Sequence, residues 1–186
     1  MARKAVFIDR DGTLNEENGY LHRAEDCRFI PGAIEAVALL NAAGFLVIVV
    51  TNQSGIARGF YAAADLEKLH DYMSRRLQAG GARIDGWYHC PHHPDYPSAA
   101  GDCSCRKPLP GMLQRAAAEM EIELAFSWMI GDKAADIAAG TAAGCKPILV
   151  LTGYGAAERA AVAAAIPVCD NLYAAALHIV AAATEE

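Results

Sequence analysis

Two acidic residues, separated by one residue, stand at the end of the first apolar run of the chain. If the run AVFID stays extended, the carboxylates of Asp9 and Asp11 project to the same side and Arg10 points away. Two like charges in one small space are costly unless a cation lies between them or one carboxylate takes a proton, and both arrangements serve catalysis. Mg²⁺, a hard cation with oxygen ligands, fits this pair, with Asp132 as a further ligand. A turn with two solvated acids is the alternative interpretation.

The elements that must position these residues are short apolar runs alternating with helical patterns. The runs that predict strands are AVFID at 5–9, FLVIVV at 45–50, GWYHC at 86–90, SWMI at 127–130 and PILVL at 147–151. The segments AIEAVALLNAAG, ADLEKLHDYMSRRLQAGG, MLQRAAAEMEI and ADIAAGTAAG between them are rich in helix formers. The alternation predicts an α/β fold, a doubly wound Rossmann-like parallel sheet with helices on both faces. The alanine-rich tail after Gly155 is expected to form surface-packed helices.

Polar residues follow three of these runs. The first run leads into DRDGT, the second into TNQSG from Thr51 and the fourth into GDK around Asp132. Ligands of such sheets bind at the carboxyl ends of the strands, so Thr51 and Asp132 are predicted to lie beside Asp9. The coincidence of three such positions argues against the turn interpretation.

A segment rich in cysteine, histidine and proline follows the third run. A Cys-x-His pair and, after ten intervening residues, a Cys-x-Cys pair supply four candidate ligands: Cys90, His92, Cys103 and Cys105. Three thiolates and one imidazole suit a closed tetrahedral Zn²⁺ site, so a zinc loop is predicted at residues 89–107. His89 and His93 compete as ligands but are expected to be flanking polar residues, and a disulfide is the alternative use of the cysteines. Zinc there would pin the loop that presents Arg106 and Lys107.

Composition limits the class of protein. The chain has 186 residues, of which 54% are hydrophobic, and this length predicts one domain over residues 1–186. A net charge of -6 provides no general basic field for nucleic acid, and no apolar stretch approaches the roughly 20 residues that cross a bilayer. We therefore expect a cytoplasmic protein with no membrane partner. Cys27, Cys145 and Cys169 are expected to be reduced and packed.

The motifs together resemble the haloacid dehalogenase-like phosphatases. Four motifs of that superfamily occur in order: FIDRDGT at 7–13, VVTNQ at 49–53, Lys107 before Pro108, and GDKAAD at 131–136. The resemblance implies that Asp9 is the nucleophile and forms an aspartyl-phosphate, and that Asp11 is the general acid and base. It also implies a Mg²⁺ ion held by Asp9, the Asp11 carbonyl and Asp132. Thr51 and Lys107 would stabilise the phosphoryl group, whereas Asp136 is either an outer support of the metal site or a helix-start acid.

The cysteine loop narrows this resemblance. CPHHP followed by C-x-CRKP is similar to the D-glycero-D-manno-heptose 1,7-bisphosphate 7-phosphatases and to the related histidinol-phosphate phosphatases, and TNQSGIARG looks most like the heptose enzymes. The resemblance implies a small sugar-phosphate substrate in nucleotide-activated heptose biosynthesis. It implies these substrate contacts: Glu17, Asn18, Gly19, Tyr20, Thr51, Asn52, Gln53, Ser54, Arg106, Lys107 and Lys133. Arg106 is the candidate for holding the second phosphate.

Three other functions are weighed against this one. Histidinol-phosphate phosphatase is the alternative of the same class, with Glu17 available for the substrate amine. A phospho-accepting signalling domain shares the architecture, but it normally carries its acceptor on an internal strand and needs no zinc loop. A catalytically silent zinc-stabilised module would not need the full set of motif residues. Only about 20 residues separate the first motif from the helix expected at 32–43, so no large cap is predicted, and the chain is expected to be a monomer.

Overall fold

A computed structural model describes residues 3–96 and 103–184 and contains one six-stranded, all-parallel sheet. The strands are β1 (Ala5–Ile8), β2 (Leu46–Asn52), β3 (Gly86–Cys90), β4 (Trp128–Gly131), β5 (Lys146–Val150) and β6 (Val168–Cys169). They lie in the order β3-β2-β1-β4-β5-β6, so the chain winds outward from β1 in both directions. β1, which precedes the Asp9 motif, is therefore central, and Val6 pairs with Val47 on one side and Trp128 on the other.

Helices cover both faces of the sheet. They are α1 (Ala33–Ala42), α2 (Ala63–Ala79), α3 (Gly111–Met120), α4 (Ala134–Ala143), α5 (Gly155–Glu158) and α6 (Leu172–Thr184). Alternate β1 side chains face opposite sides, so Val6 and Ile8 pack with α1, α2 and α6, and Ala5 and Phe7 pack with α3 and α4. The predicted doubly wound α/β class is confirmed, and no second folded unit covers the sheet among the described residues.

The largest difference from the sequence prediction lies in the tail. It contains β6 as well as helices, and Leu172, Ala175, Ala176 and Ile179 of α6 are buried in the main core. A two-residue strand is too short to give an alternating pattern, and a helix so rich in alanine has little contrast between its faces. The prediction of surface-packed helices was therefore wrong for α6.

The edge of the sheet that carries the predicted site residues lies at the carboxyl ends of β1, β2 and β4. Thr51 and Asn52 are paired inside β2 rather than following it, because they continue the ladder with His89 and Cys90 of β3. Gly131 likewise pairs inside β4 with Leu149. Among the described residues, no helix has the length and apolar character that a bilayer span requires.

Candidate active site

The chain turns sharply after Asp9. The Asp9 amide still donates to the Ile130 carbonyl, as a further strand residue would, but the Arg10 carbonyl accepts from the amides of Leu14 and Asn15. Gly12 has a φ of 92°, which closes the turn. The expectation of an extended chain with Arg10 pointing away was therefore wrong: the Arg10 guanidinium is fully buried and binds the Asp11 carboxylate.

Three carboxylates and one ammonium group meet at the strand ends. Oxygens of Asp9, Asp132 and Asp136 lie within 4.8 Å of one another. Lys107 Nζ lies 2.6 Å from Asp9 Oδ1 and 2.7 Å from Asp136 Oδ1 and donates to the Val50 carbonyl at 2.7 Å. All four side chains are buried, so one lysine faces three acids away from water.

This excess of acidic groups shifts the pKa values within the cluster. Burial raises the pKa of Asp9 to about 8, against the opposing effect of Lys107 and with a further rise from Asp136 and Asp132. Burial also raises the pKa of Asp132 to about 6, while the Tyr154 amide opposes the rise. Burial acts to lower the pKa of Lys107, but Asp136 and Asp9 outweigh it and raise that pKa. A second cation would relieve the surplus negative charge.

The cluster fits a hard divalent cation. Asp132 Oδ1 is buried without a hydrogen-bond partner, and Asp132 Oδ2 accepts from the Tyr154 amide at 2.8 Å. The donors are carboxylate oxygens, the ligands that Mg²⁺ prefers. Asp136 is already engaged at both oxygens, by Lys107 and by the backbone amide of Lys133, where it caps α4. Asp9 and Asp132 are thus the carboxylates free to hold a metal ion.

Asp11 is held by a separate set of donors. Arg10 contacts both of its oxygens, Asn15 Nδ2 donates to Oδ1 at 3.0 Å, and Gln53 Nε2 donates to Oδ2 at 2.9 Å. Burial acts to raise the pKa of Asp11, but these donors outweigh it and lower the pKa. Gln53 Nε2 also donates to Thr51 Oγ1, and the Tyr61 hydroxyl donates to Gln53 Oε1 at 2.5 Å, which fixes the amide orientation.

A cavity of about 420 Å³ opens above these residues. Its walls include Asp9, Asp11, Glu17, Gly19, Tyr20, Thr51, Asn52, Gln53, Ser54, Tyr61, Arg106, Lys107, Lys133, Ala135, Asp136 and Tyr154. Lys133 Nζ pairs with Glu17 Oε2 at 3.3 Å and lies 4.5 Å from the centre of the Tyr154 ring. The 17–20 loop is thereby tied to the start of α4.

The cysteine and histidine side chains form a second polar cluster. Sγ of Cys103 lies 3.4 Å from Sγ of Cys90 and 3.1 Å from Sγ of Cys105, and His92 Nδ1 lies 3.7 and 3.5 Å from the sulfurs of Cys90 and Cys105. A tetrahedron of sulfurs around Zn²⁺ has edges of about 3.8 Å, given Zn–S bonds of about 2.3 Å. The four donors fit such a metal. Residues 97–102 of the predicted 89–107 loop lie outside the described residues.

The cluster is joined to the cavity through its own loop. Arg106 donates its backbone amide to Cys103 Sγ at 3.3 Å and its Nη1 to the His92 carbonyl at 3.1 Å. The Asn52 side chain makes two hydrogen bonds with the Lys107 backbone, each of 3.0 Å. Whatever holds the four sulfur and nitrogen donors together therefore also fixes Arg106 and Lys107 on the cavity wall.

Comparison with known proteins decides the family. A HAD-hydrolase-like family model matches residues 104–175. The D-glycero-beta-D-manno-heptose-1,7-bisphosphate 7-phosphatase of Pasteurella multocida is 46% identical over 153 residues, 81% of this chain and 83% of that protein. Its counterpart in Escherichia coli K12 is also 46% identical, over 80% of each chain.

This chain belongs to the heptose 1,7-bisphosphate 7-phosphatase family. A solved D,D-heptose 1,7-bisphosphate phosphatase from B. bronchiseptica, complexed with magnesium and phosphate, has a TM-score of 0.88 and 36% identity, covering 96% of this chain and 99% of that one. The enzyme from Burkholderia thailandensis has a TM-score of 0.71 and 35% identity over 95% and 97% of the two chains. The predicted resemblance to this family is confirmed.

The predicted substrate contacts of this heptose phosphatase family member can be compared with the residues that line the cavity. All but one line the cavity; Asn18 is the exception, because its side chain donates to the Asp26 carbonyl on an exposed loop. Tyr61 and Tyr154 line the cavity and were missed. Tyr154 follows β5, so the rule about strand ends could have found it, whereas nothing in the local pattern marks Tyr61.

The remaining histidines and cysteines of this family member lie elsewhere. His93 Nε2 is 2.9 Å from Arg58 Nη2, and the His89 ring lies 6.4 Å from that of His70, so neither is in the thiolate cluster. All six cysteines are free of disulfides, with Cys27 and Cys145 buried and Cys169 partly so.

Proposed function

We propose that this protein removes the 7-phosphate of D-glycero-D-manno-heptose 1,7-bisphosphate in nucleotide-activated heptose biosynthesis, with the β anomer as the preferred substrate. The observation that carries the proposal is the buried cluster of Asp9, Lys107 and Asp132, of which Asp9 and Lys107 line a cavity, in a chain whose relatives bear that activity in their names. The cavity of about 420 Å³ is large enough for a sugar phosphate, and its open mouth has no folded cap among the described residues.

The reaction proceeds in two displacements at phosphorus. An Asp9 oxygen attacks the 7-phosphorus, the bond from phosphorus to the sugar oxygen breaks, and Asp11 gives its proton to that oxygen. Water then attacks the aspartyl-phosphate, Asp11 takes a proton from this water, and inorganic phosphate leaves. The proton that Asp11 takes in the second displacement is the one that it gives to the next leaving oxygen, so the cycle is balanced.

The remaining charged groups hold the phosphoryl oxygens. Lys107, which contacts Asp9, and the Thr51 hydroxyl, which lines the same cavity, donate to the transferring phosphoryl group. Asp9, Asp132 and the Asp11 carbonyl would hold Mg²⁺, which would supply positive charge to offset that of the nucleophile and the phosphate. Asp136 supports the site indirectly, because it pairs with Lys107 and caps α4.

Arg106 holds the phosphate that is not hydrolysed. Its planar guanidinium can bind phosphate at two points, and it lies on the cavity wall beside Lys107. Cys90, His92, Cys103 and Cys105 would hold Zn²⁺, which would fix the loop that carries Arg106. Such a zinc ion would be structural, and it would affect catalysis only by positioning Arg106 and Lys107.

One contact favours the heptose substrate over histidinol phosphate. The amine of histidinol phosphate needs an acidic partner, and the candidate, Glu17, is paired with Lys133. A phospho-accepting signalling domain is disfavoured by the relatives and by the thiolate cluster.

We also propose one cytoplasmic, monomeric domain over residues 1–186. A single sheet takes strands from Ala5 to Cys169, and six disulfide-free cysteines suit a reducing compartment. Light scattering during size-exclusion chromatography tests the monomer, since a mass near twice 19.7 kDa would contradict it.

The test of the proposed substrate is phosphate release in the presence of Mg²⁺. We expect kcat/KM for the β anomer of heptose 1,7-bisphosphate to exceed that for the α anomer and for histidinol phosphate by at least about tenfold. A preference for histidinol phosphate would contradict the proposed substrate while leaving the phosphatase chemistry in place.

A further inference from the structure

A buried arginine lies directly behind the Asp11 carboxylate. Arg10 Nε and Nη2 lie 2.9–3.0 Å from the two Asp11 oxygens, and Nη2 also donates to the Leu21 carbonyl at 3.0 Å. The Arg10 side chain is fully buried, so it cannot reach a substrate in the cavity. Any effect of this guanidinium on the reaction must pass through Asp11.

The other end of the guanidinium rests on a histidine. His70 Nε2 lies 3.3 Å from Arg10 Nη1. Since arginine can only donate hydrogen bonds, His70 must be neutral and present the lone pair of Nε2 to it. The ring of His70 stacks on Trp87 with 4.3 Å between ring centres, and Trp87 Nε1 donates to Ser74 Oγ at 3.1 Å.

This chain of contacts fixes the guanidinium plane from both sides. His70 is buried on α2 and Trp87 belongs to β3, so the support comes from two elements that carry no proposed catalytic group. A bidentate guanidinium also prescribes the orientation of the carboxylate that it binds, because the two hydrogen bonds must be roughly parallel. The orientation of Asp11 is therefore set by buried residues outside the cavity as well as by residues that line it.

We propose that Arg10, held in place by His70, is a positioning residue for Asp11. It orients the Asp11 carboxyl group and stabilises the carboxylate that forms as the proton passes to the leaving oxygen. This inference rests on the proposed role of Asp11 as the general acid. Negative charge appears on Asp11 at that moment, and a preorganised guanidinium stabilises it without having to move. The effect is greatest for substrates whose leaving oxygen needs a proton.

Two substrates of different leaving group test the proposal in the holoenzyme. A sugar alkoxide must be protonated as it leaves, whereas p-nitrophenolate leaves as a stable anion. We expect His70→Leu to lower kcat/KM for heptose 1,7-bisphosphate by about tenfold or more, within the range that general acids contribute. For p-nitrophenyl phosphate the same variant should change kcat/KM by less than about threefold. Each preparation is its own control for folding, because both substrates report on the same sample.

Two further variants separate the possible outcomes. His70→Gln keeps a hydrogen-bond acceptor for Arg10 and should restore most of the loss, and failure to do so would overturn the role of the acceptor. Asp11→Asn should show the same dependence on leaving group, more strongly. Suppose that Asp11→Asn shows this dependence but His70→Leu lowers kcat/KM for both substrates equally, or for neither. The positioning role is then wrong while the proposed function stands. If Asp11→Asn shows no such dependence, the proposed role of Asp11 fails and this inference fails with it.

Discussion

At the scale of single residues, the site separates two carboxylates that are close in sequence. Asp9 lies among Lys107 and two other acids, and burial raises its pKa, whereas Asp11 lies among arginine and amide donors that lower its pKa. A cation bound beside Asp9 would oppose this rise and favour the ionised form that attacks phosphorus. The donors around Asp11 favour its carboxylate, the form that it takes after giving up a proton.

The nucleophile is tested by replacing Asp9 with Asn. The side chain keeps its size but loses the attacking oxygen anion, so we expect kcat to fall by at least about a thousandfold with a normal thermal unfolding transition. Asp71→Asn, an exposed acid on α2, is the matched control and should keep kcat within about twofold. Substantial turnover by Asp9→Asn would contradict covalent catalysis.

Sequence reasoning reached the motif residues but not their partners. Asp9, Thr51 and Asp132 were found because strand ends in a parallel sheet converge. The contact between Arg10 and Asp11 was missed because it depends on a turn, and a period-2 argument does not describe a turn. The positions of Tyr61 and His70 could not be predicted, since they reach the site from segments whose packing is set by the whole fold.

At the scale of elements, the cysteine loop is predicted to depend on zinc. Cys103→Ala removes one of four ligands, so zinc content and kcat/KM should fall together, zinc to well below one ion per chain. Elemental analysis of purified protein, paired with the phosphate assay, measures both. Cys145→Ala, a buried cysteine outside the cluster, should keep its zinc. Full zinc content in Cys103→Ala would show that the ligand set is wrong.

The loop after β5 is predicted not to tolerate a side chain at Gly153. A Cβ added to Gly153 would lie 2.2 Å from Asp132 Oδ2, at a φ of 55°. Gly153→Ala should therefore displace Asp132 and lower kcat by about tenfold or more, with weaker Mg²⁺ activation in a metal titration. Gly144→Ala has a similarly positive φ of 86° but open space around the Cβ, so it should reduce stability and leave kcat unchanged. Equal activity of the two variants would contradict this role of the Asp132 contact.

At the scale of the whole molecule, α6 belongs to the core that supports the catalytic edge. Ile179 is fully buried, whereas Leu177 on the same helix is 49% exposed. Ile179→Ala should lower the free energy of unfolding by about 2–5 kcal/mol, and Leu177→Ala should change it by less than about 0.5 kcal/mol. Urea denaturation measures both, and similar losses in the two variants would contradict the burial of α6.

The fold class could be predicted because strong apolar runs alternate with helical patterns from Ala5 to Val150. The tail could not, since its strand has two residues and its helix is too uniformly apolar to indicate a buried face. The short distances between motifs along the chain predicted that no large cap covers the sheet, and none does among residues 3–96 and 103–184.

The most direct test of the central claim is a ³¹P NMR time course on the β anomer of heptose 1,7-bisphosphate with Mg²⁺ and catalytic amounts of protein. The 7-phosphate signal should disappear as inorganic phosphate appears, with the 1-phosphate signal retained, and Asp9→Asn should leave both signals intact. Loss of the 1-phosphate, or persistence of both signals with the unaltered protein, would contradict the proposed function.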